Sequence, residues 1–187
     1  MDVLRSQIKW LAPLALATLF VACGDGGGAA RDKGDLVTAP GLSPQNTASS
    51  GFSTTVYGRA TFTQDGNNFK VKRITGDWHV EVKAHPAFDI QMQRIDFQPG
   101  GHSGWHSHPG PVFIQVVSGT VTFYEADDPT CTPIVKHVGE TLVDAANDHG
   151  HIARNETTSP AATNVTVFGP PGASLRVDLP NPGYCPF

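Results

Sequence analysis

Two pairs of histidines are the residues whose type and spacing could do chemistry in this sequence. His106 and His108 lie in the stretch GWHSHPGP, and His149 and His151 lie in DHGHIARN. A β-strand places residues i and i+2 on the same face, so each pair can present two imidazoles to one side. Neutral imidazole binds Fe, Mn, Ni, Cu and Zn. If both pairs face the interior of one barrel, they predict a site for a divalent transition metal; histidines that serve only the packing are the alternative.

Short β-strands are the elements that would position these histidines. From about residue 53, the segments TVYGRATFT, FKVKRIT, HVEVKA and FDIQMQRIDF alternate apolar and polar residues, which is the period of a half-buried strand. Turn-forming stretches such as DGNN and PGGHSG separate them, and no sustained helical period follows. The chain holds 20 glycines and 15 prolines, as turn-rich β domains do. Residues 53–187 are therefore predicted to form one all-β domain, a sandwich or a barrel.

The spacing of glycines and histidines resembles the two sequence motifs of the cupin family. The first motif is matched by Gly100, His106, His108 and Gly119, and the second by Gly139, His151 and Asn155. The resemblance spans roughly residues 88–179. It implies a double-stranded β-helix, the jelly-roll barrel of cupins, in which the glycines and Asn155 occupy turn and structural positions.

The resemblance also implies a set of metal ligands. Cupins bind a divalent metal inside the barrel through both histidines of the first motif and the histidine of the second, here His106, His108 and His151. The family usually adds a glutamate four residues after the second histidine, but Val112 stands there and cannot coordinate. His149 could replace that glutamate, and a second candidate is His102.

The activity stays open at the level of sequence, because one fold hosts many functions. A metal-dependent oxidoreductase, dioxygenase or isomerase is one hypothesis. A module that binds or senses a small molecule without turnover is the second hypothesis. The third is a metal-free structural protein of the cell envelope. No catalytic residue is predicted.

The N-terminus predicts export. Residues 1–22 carry Arg5 and Lys9 and then an apolar run, WLAPLALATLFVA, of 13 residues, which predicts a signal peptide. The stretch FVAC before GDGGG resembles the lipobox of bacterial lipoproteins, which implies that Cys23 is lipidated and anchors the chain to a membrane. Residues 23–52 hold this cysteine and a Gly-, Ser- and Pro-rich linker. Cleavage without lipidation is the alternative.

Export also determines how the other cysteines are interpreted. Cys131 and Cys185 remain once Cys23 carries lipid, and they would lie in an oxidising compartment. The expected result is one disulfide, with two free buried thiols as the alternative. The loop closed by such a bond would tie the C-terminal NPGYCPF to the domain.

Composition limits the partners. The formal charge is −4, and it becomes −5 once residues 1–22, with two basic residues and one acidic residue, are removed. No basic patch stands out, so nucleic acid is not expected as a partner. The remaining expectations are a small molecule in the barrel, the membrane through the lipid anchor, and a homodimer of the kind that cupins often form.

Overall fold

Twelve β-strands form the regular structure of the described residues, 46–66, 68–146 and 149–187, in this computed structural model. They are β1 (Ser50–Phe62), β2 (Phe69–Thr75), β3 (Trp78–Ala84), β4 (Phe88–His102), β5 (His106–Ser107), β6 (Val112–Ser118), β7 (Thr120–Glu125), β8 (Ile134–His137), β9 (Thr141–Asp144), β10 (His151–Arg154), β11 (Ala161–Gly169) and β12 (Val177–Asp178). No helix occurs in these residues, as the alternating patterns predicted. It follows that no helix of this part of the chain is long and apolar enough to span a membrane.

Ten of the strands form one curved antiparallel sheet. Its path runs β12–β5–β10–β4–β11–β6–β9, while β1 pairs with β4, and β7 pairs with β10 and β8. The long strand β4 pairs with β1 on one side and with β11 on the other. The result is a nearly closed antiparallel barrel, which confirms the predicted double-stranded β-helix.

The barrel interior is lined by the inward-facing side chains of alternating strands. Along β6, Val112, Ile114 and Val116 are buried and alternate with the exposed Phe113 and Gln115. The same alternation on β11 buries Thr163, Val165 and Val167. Apolar side chains of both strands pack in one cluster with others that include Phe97, Phe123 and Leu175. Removing this apolar area from water is the main favourable term that closes the barrel.

Asn155 and Gly119 hold turns beside the barrel, as the resemblance to cupins implied. The buried Asn155 amide donates to the backbone oxygens of Phe97, Gln98 and Ser159, which fixes the chain after β10 against the end of β4. Gly119 joins β6 to β7 with a φ of 66°. A Cβ at this position would lie 2.6 Å from the Pro160 oxygen, so glycine is required here.

A second, smaller apolar cluster lies outside the barrel. Trp105, Tyr124, Ile152 and Cys185 are its buried members. Cys185 forms the expected disulfide with Cys131, and the two Cα atoms are 5.6 Å apart. The bond and this cluster fasten the C-terminal segment to β7 and β10.

The N-terminal predictions lie mostly outside the described residues. The signal peptide, Cys23 and the linker as far as residue 45 are not described. The predicted start of the domain at residue 53 falls inside β1, which begins at Ser50. Asn46 forms an isolated bridge with Pro180, so chain pairing starts before β1.

Candidate metal centre

Three histidines converge inside the barrel because two short strands pair through them. His106 of β5 is the register partner of His151 of β10, and His108 follows β5 directly. The ring centroids of His106 and His151 are 4.4 Å apart, and those of His106 and His108 are 4.9 Å apart. One ring nitrogen of each histidine lies within 4.8 Å of the other two. Among the described residues, these three are the one group of His, Cys, Asp and Glu side chains with such an arrangement.

Backbone carbonyls fix the orientation of two of the rings. Nδ1 of His106 lies 2.9 Å from the Gly104 oxygen, and Nδ1 of His108 lies 2.6 Å from the Leu175 oxygen. A carbonyl oxygen only accepts hydrogen bonds, so each Nδ1 carries the proton and donates it. Nε2 of each neutral ring then keeps its lone pair, which is the state that binds a metal.

The loop between β11 and β12 is itself held in place, which matters because it supplies the Leu175 carbonyl. The buried Asp89 carboxylate accepts a hydrogen bond from the Gly172 backbone N–H at 3.0 Å. It also accepts one from Nε of Arg59 at 2.8 Å. The orientation of His108 therefore depends on contacts that reach back to β1 and β4.

The third ring, His151, faces a carboxylate instead of a carbonyl. Its Nδ1 lies 3.4 Å from Oδ2 of Asp144, and both side chains are buried. Oδ2 of Asp144 accepts no hydrogen bond in this structure. A buried carboxylate oxygen without a partner is costly unless positive charge lies close by. A divalent cation bound to the histidine cluster would supply that charge, so the residues present fit a metal.

Burial keeps the three imidazoles neutral near pH 7. It lowers the pKa of His106 well below the usual value of 6.5, and the neighbouring His151 lowers it further. Burial also lowers the pKa of His108, and it lowers the pKa of His151 to about 4. Neutral rings have lone pairs available to a metal without first losing a proton.

The structure places His149 and His102 away from the three converging rings. His149 precedes β10, which begins at His151, so the rule that strand residues i and i+2 share a face does not apply to it. Its Nδ1 lies 2.7 Å from Oδ2 of Asp127 on the surface. His102 ends β4, and its Nδ1 accepts a hydrogen bond from the Gly104 N–H at 3.2 Å. Neither histidine belongs to the group of residues whose ligand atoms lie within 4.8 Å of one another.

Asp144 is the site residue that sequence reasoning missed. It is the register partner of Val112, the residue at the family's glutamate position, across the pairing of β6 with β9. The stretch TLVD is a short alternating strand, which would have placed Leu142 and Asp144 on one face. The neighbour of this strand cannot be inferred from such a local pattern.

A cavity of about 400 Å³ opens beside the three histidines. Most of its wall is apolar and comes from the barrel strands, including Ile95, Phe97, Ile114, Phe123 and Val165. Gln91, Gln93 and Arg176 supply polar groups to the same wall. A mostly apolar cavity with a few polar groups is the usual form of a small-molecule site.

Comparisons with known proteins find a sequence profile and several solved structures that are similar to parts of this chain. The sequence profile of the cupin domain matches residues 93–168. An oxalate oxidase structure is similar with 26% identity and a TM-score of 0.39, over 47% of this chain and 45% of that chain. The oxalate decarboxylase of Lactobacillus farciminis is similar with 21% identity and a TM-score of 0.41, over 48% of this chain and 26% of that chain. A cupin-like protein of Thermotoga maritima is similar with 19% identity and a TM-score of 0.40, over 49% of this chain and 65% of that chain.

This chain spans less than half the length of the oxalate oxidase and of the oxalate decarboxylase. The activities named for those two enzymes are therefore properties of those enzymes. No curated protein matches the chain. The profile match includes both histidine-bearing strands, β5 and β10, and it ends within β11 of the same barrel. Residues 93–168 therefore resemble a cupin domain, and His106, His108 and His151 lie within the matched range.

Proposed function

We propose that this protein binds one divalent transition metal ion through His106, His108 and His151. The observation that carries the proposal is the convergence of three ring nitrogens inside the barrel, two of them on rings whose Nδ1 donates to a backbone carbonyl. Fe, Mn, Ni, Cu and Zn all accept imidazole ligands. A metal held by three histidines keeps open positions and supplies Lewis acidity to an oxygen ligand bound there.

The cavity supports the binding of a small molecule beside the metal. Its volume of about 400 Å³ lies in the range of small-molecule pockets. The histidines share its wall with apolar side chains, so a ligand could bury an apolar body while it presents a polar group to the metal. Both a metal-dependent enzyme and a module that senses a small molecule require this binding step. An inert structural barrel does not require it.

Metal content of the purified full chain tests the proposal. Expressed without a histidine tag, the wild type is expected to hold about one metal ion per chain by elemental mass spectrometry, because one three-histidine site holds one ion. The variant His106→Ala/His151→Ala should hold almost none. His149→Ala is the matched control, because His149 pairs with Asp127 on the surface. It should keep the wild-type content.

A wild type without metal, even after reconstitution with each of the five metals, would leave the metal-free alternative. The barrel would then be a pocket for small molecules or a structural scaffold of the envelope.

We also propose that the protein is exported and anchored to a bacterial membrane by lipid on Cys23. The support is the basic and then apolar sequence of residues 1–22 before that cysteine. The disulfide agrees with an oxidising compartment. Radiolabelled palmitate should enter the wild type grown in a bacterial host but not Cys23→Ala. Equal labelling of the two proteins would refute the anchor.

A further inference from the structure

The barrel lacks the carboxylate that cupins usually have at the position of Val112 on β6, but the neighbouring strand β9 carries one. Val112 occupies the glutamate position, and its register partner on β9 is Asp144. Directly opposed residues of an antiparallel pair share one face of the sheet. Val112 is buried in the barrel core and the Asp144 side chain is only 8% exposed, so both face the interior.

The two oxygens of Asp144 have different surroundings. Oδ1 accepts a hydrogen bond from the Ala146 backbone N–H at 2.8 Å, which fixes the carboxylate at the end of β9. Oδ2 is buried, accepts no hydrogen bond, and lies 3.4 Å from Nδ1 of His151. The free oxygen is thus directed at one of the three rings of the metal centre.

This contact would complete a pattern that the other two rings already show. His106 and His108 each use Nδ1 to donate to a fixed oxygen, which leaves Nε2 for the metal. His151 has no carbonyl in that role, and Asp144 supplies the oxygen. Asp144 is not one of the residues whose ligand atoms converge within 4.8 Å, so its place is behind the ring and not on the metal.

We propose that Asp144 is a positioning residue of the metal centre, which accepts a hydrogen bond from the Nδ1–H of His151 and so orients Nε2 toward the ion. The proposal rests on the proposed metal function. A metal on Nε2 makes the ring a stronger donor at Nδ1, and the carboxylate opposite makes the ring a more basic ligand. In cupins the negative charge usually belongs to a glutamate that binds the metal directly. Here it belongs to Asp144, which contacts the Nδ1 side of the ligand His151.

Zinc affinity of the full chain tests this role. Competition with a chelator would give the zinc dissociation constant of the wild type, Asp144→Ala and Asp144→Asn. Asp144→Ala is expected to bind zinc about 10- to 100-fold more weakly, the usual loss when such an outer partner is removed. Asp144→Asn should recover part of that loss, because its amide oxygen still accepts a hydrogen bond. Asp127→Ala is the matched control, since Asp127 pairs with His149 on the surface, and it should bind like the wild type.

The tautomer of His151 in metal-free protein provides a second measurement. Nitrogen-15 NMR of the histidine rings should show the His151 proton on Nδ1 in the wild type and its loss from that nitrogen in Asp144→Ala. An Nε2 proton in the wild type, or zinc affinity of Asp144→Ala within twofold of the wild type, would overturn the proposal.

The two measurements separate this proposal from the metal function. If the wild type binds no zinc, the metal function fails for zinc, while the tautomer still tests the Asp144 contact. If the wild type binds zinc and Asp144→Ala binds it equally well, only the role of Asp144 fails.

Discussion

Replacing Val112 with glutamate, the residue that cupins usually have there, is expected to destabilise the metal-free protein by about 3–5 kcal/mol. Val112 is completely buried in the barrel core. Its register partner Asp144 already places a carboxylate on the same face, and that carboxylate has one oxygen without a hydrogen bond. A second carboxylate at 112 would be desolvated beside a like charge. Urea unfolding at pH 7 measures the loss.

Val112→Gln is the matched control for this substitution, because a glutamine side chain has the shape of a glutamate side chain but carries no charge. The difference between the two variants isolates the charge. Adding Asp144→Ala to Val112→Glu should restore part of the stability, since the repulsion disappears, whereas two independent sites would show additive losses. Equal stability of Val112→Glu and Val112→Gln would contradict the expectation.

This pairing also shows why a motif with a missing ligand need not mean a site without a carboxylate. The family's glutamate position is defined by its distance along the chain from the second histidine. The barrel instead brings residues together across strands, and β6 lies beside β9. A glutamate at position 112 on β6 would lie opposite Asp144 on β9, and the two carboxylates would repel each other.

The barrel could be predicted from the sequence because its signals are local. Alternation with a period of two and frequent turn residues are visible in any short window. The strands on either side of His106 agree with these signals, and so does the absence of helices from the residues that the structure describes. The convergence of the three histidines could be predicted from the spacing of the cupin motifs. That spacing is typical of a fold in which β5 pairs with β10, although the pairing itself is not visible in the sequence.

The remainder of the site depends on contacts that no local pattern contains. His149 and His151 have the spacing of a strand pair, but β10 begins only at His151. Asp144 is seven residues before His151 in sequence and reaches it only through the pairing of β9 with β6. The Leu175 carbonyl that orients His108 comes from a loop 67 residues away. Such contacts are set by long-range packing and strand register, which the sequence pattern leaves undetermined.

Removing the disulfide is expected to cost about 4 kcal/mol of unfolding free energy, because the bond closes a long loop in the unfolded chain. Cys131 and Cys185 are 54 positions apart in sequence. The expected loss of unfolding free energy is the conformational entropy that the unfolded chain gains when a loop of this length is no longer closed. The second apolar cluster adds to the effect, since Cys185 is buried there against Trp105 and Ile152. Cys131→Ala/Cys185→Ala should therefore unfold at a clearly lower urea concentration than the oxidised wild type.

Reduction of the wild type separates the bond from the side chains. If the crosslink carries the stability, wild-type protein kept in reducing agent should unfold near the urea midpoint of Cys131→Ala/Cys185→Ala, and the agent should not change the variant. The C-terminal segment should loosen first, because few contacts would still hold Phe187. Its ring lies 4.8 Å from the Tyr124 ring and 3.8 Å from the Arg154 guanidinium, and its backbone oxygen accepts a hydrogen bond from Asn181. Proteolysis near residue 185 in the reduced form would reveal this. An oxidised wild type that unfolds at the same urea concentration as the variant would show that the cluster holds the segment without the bond.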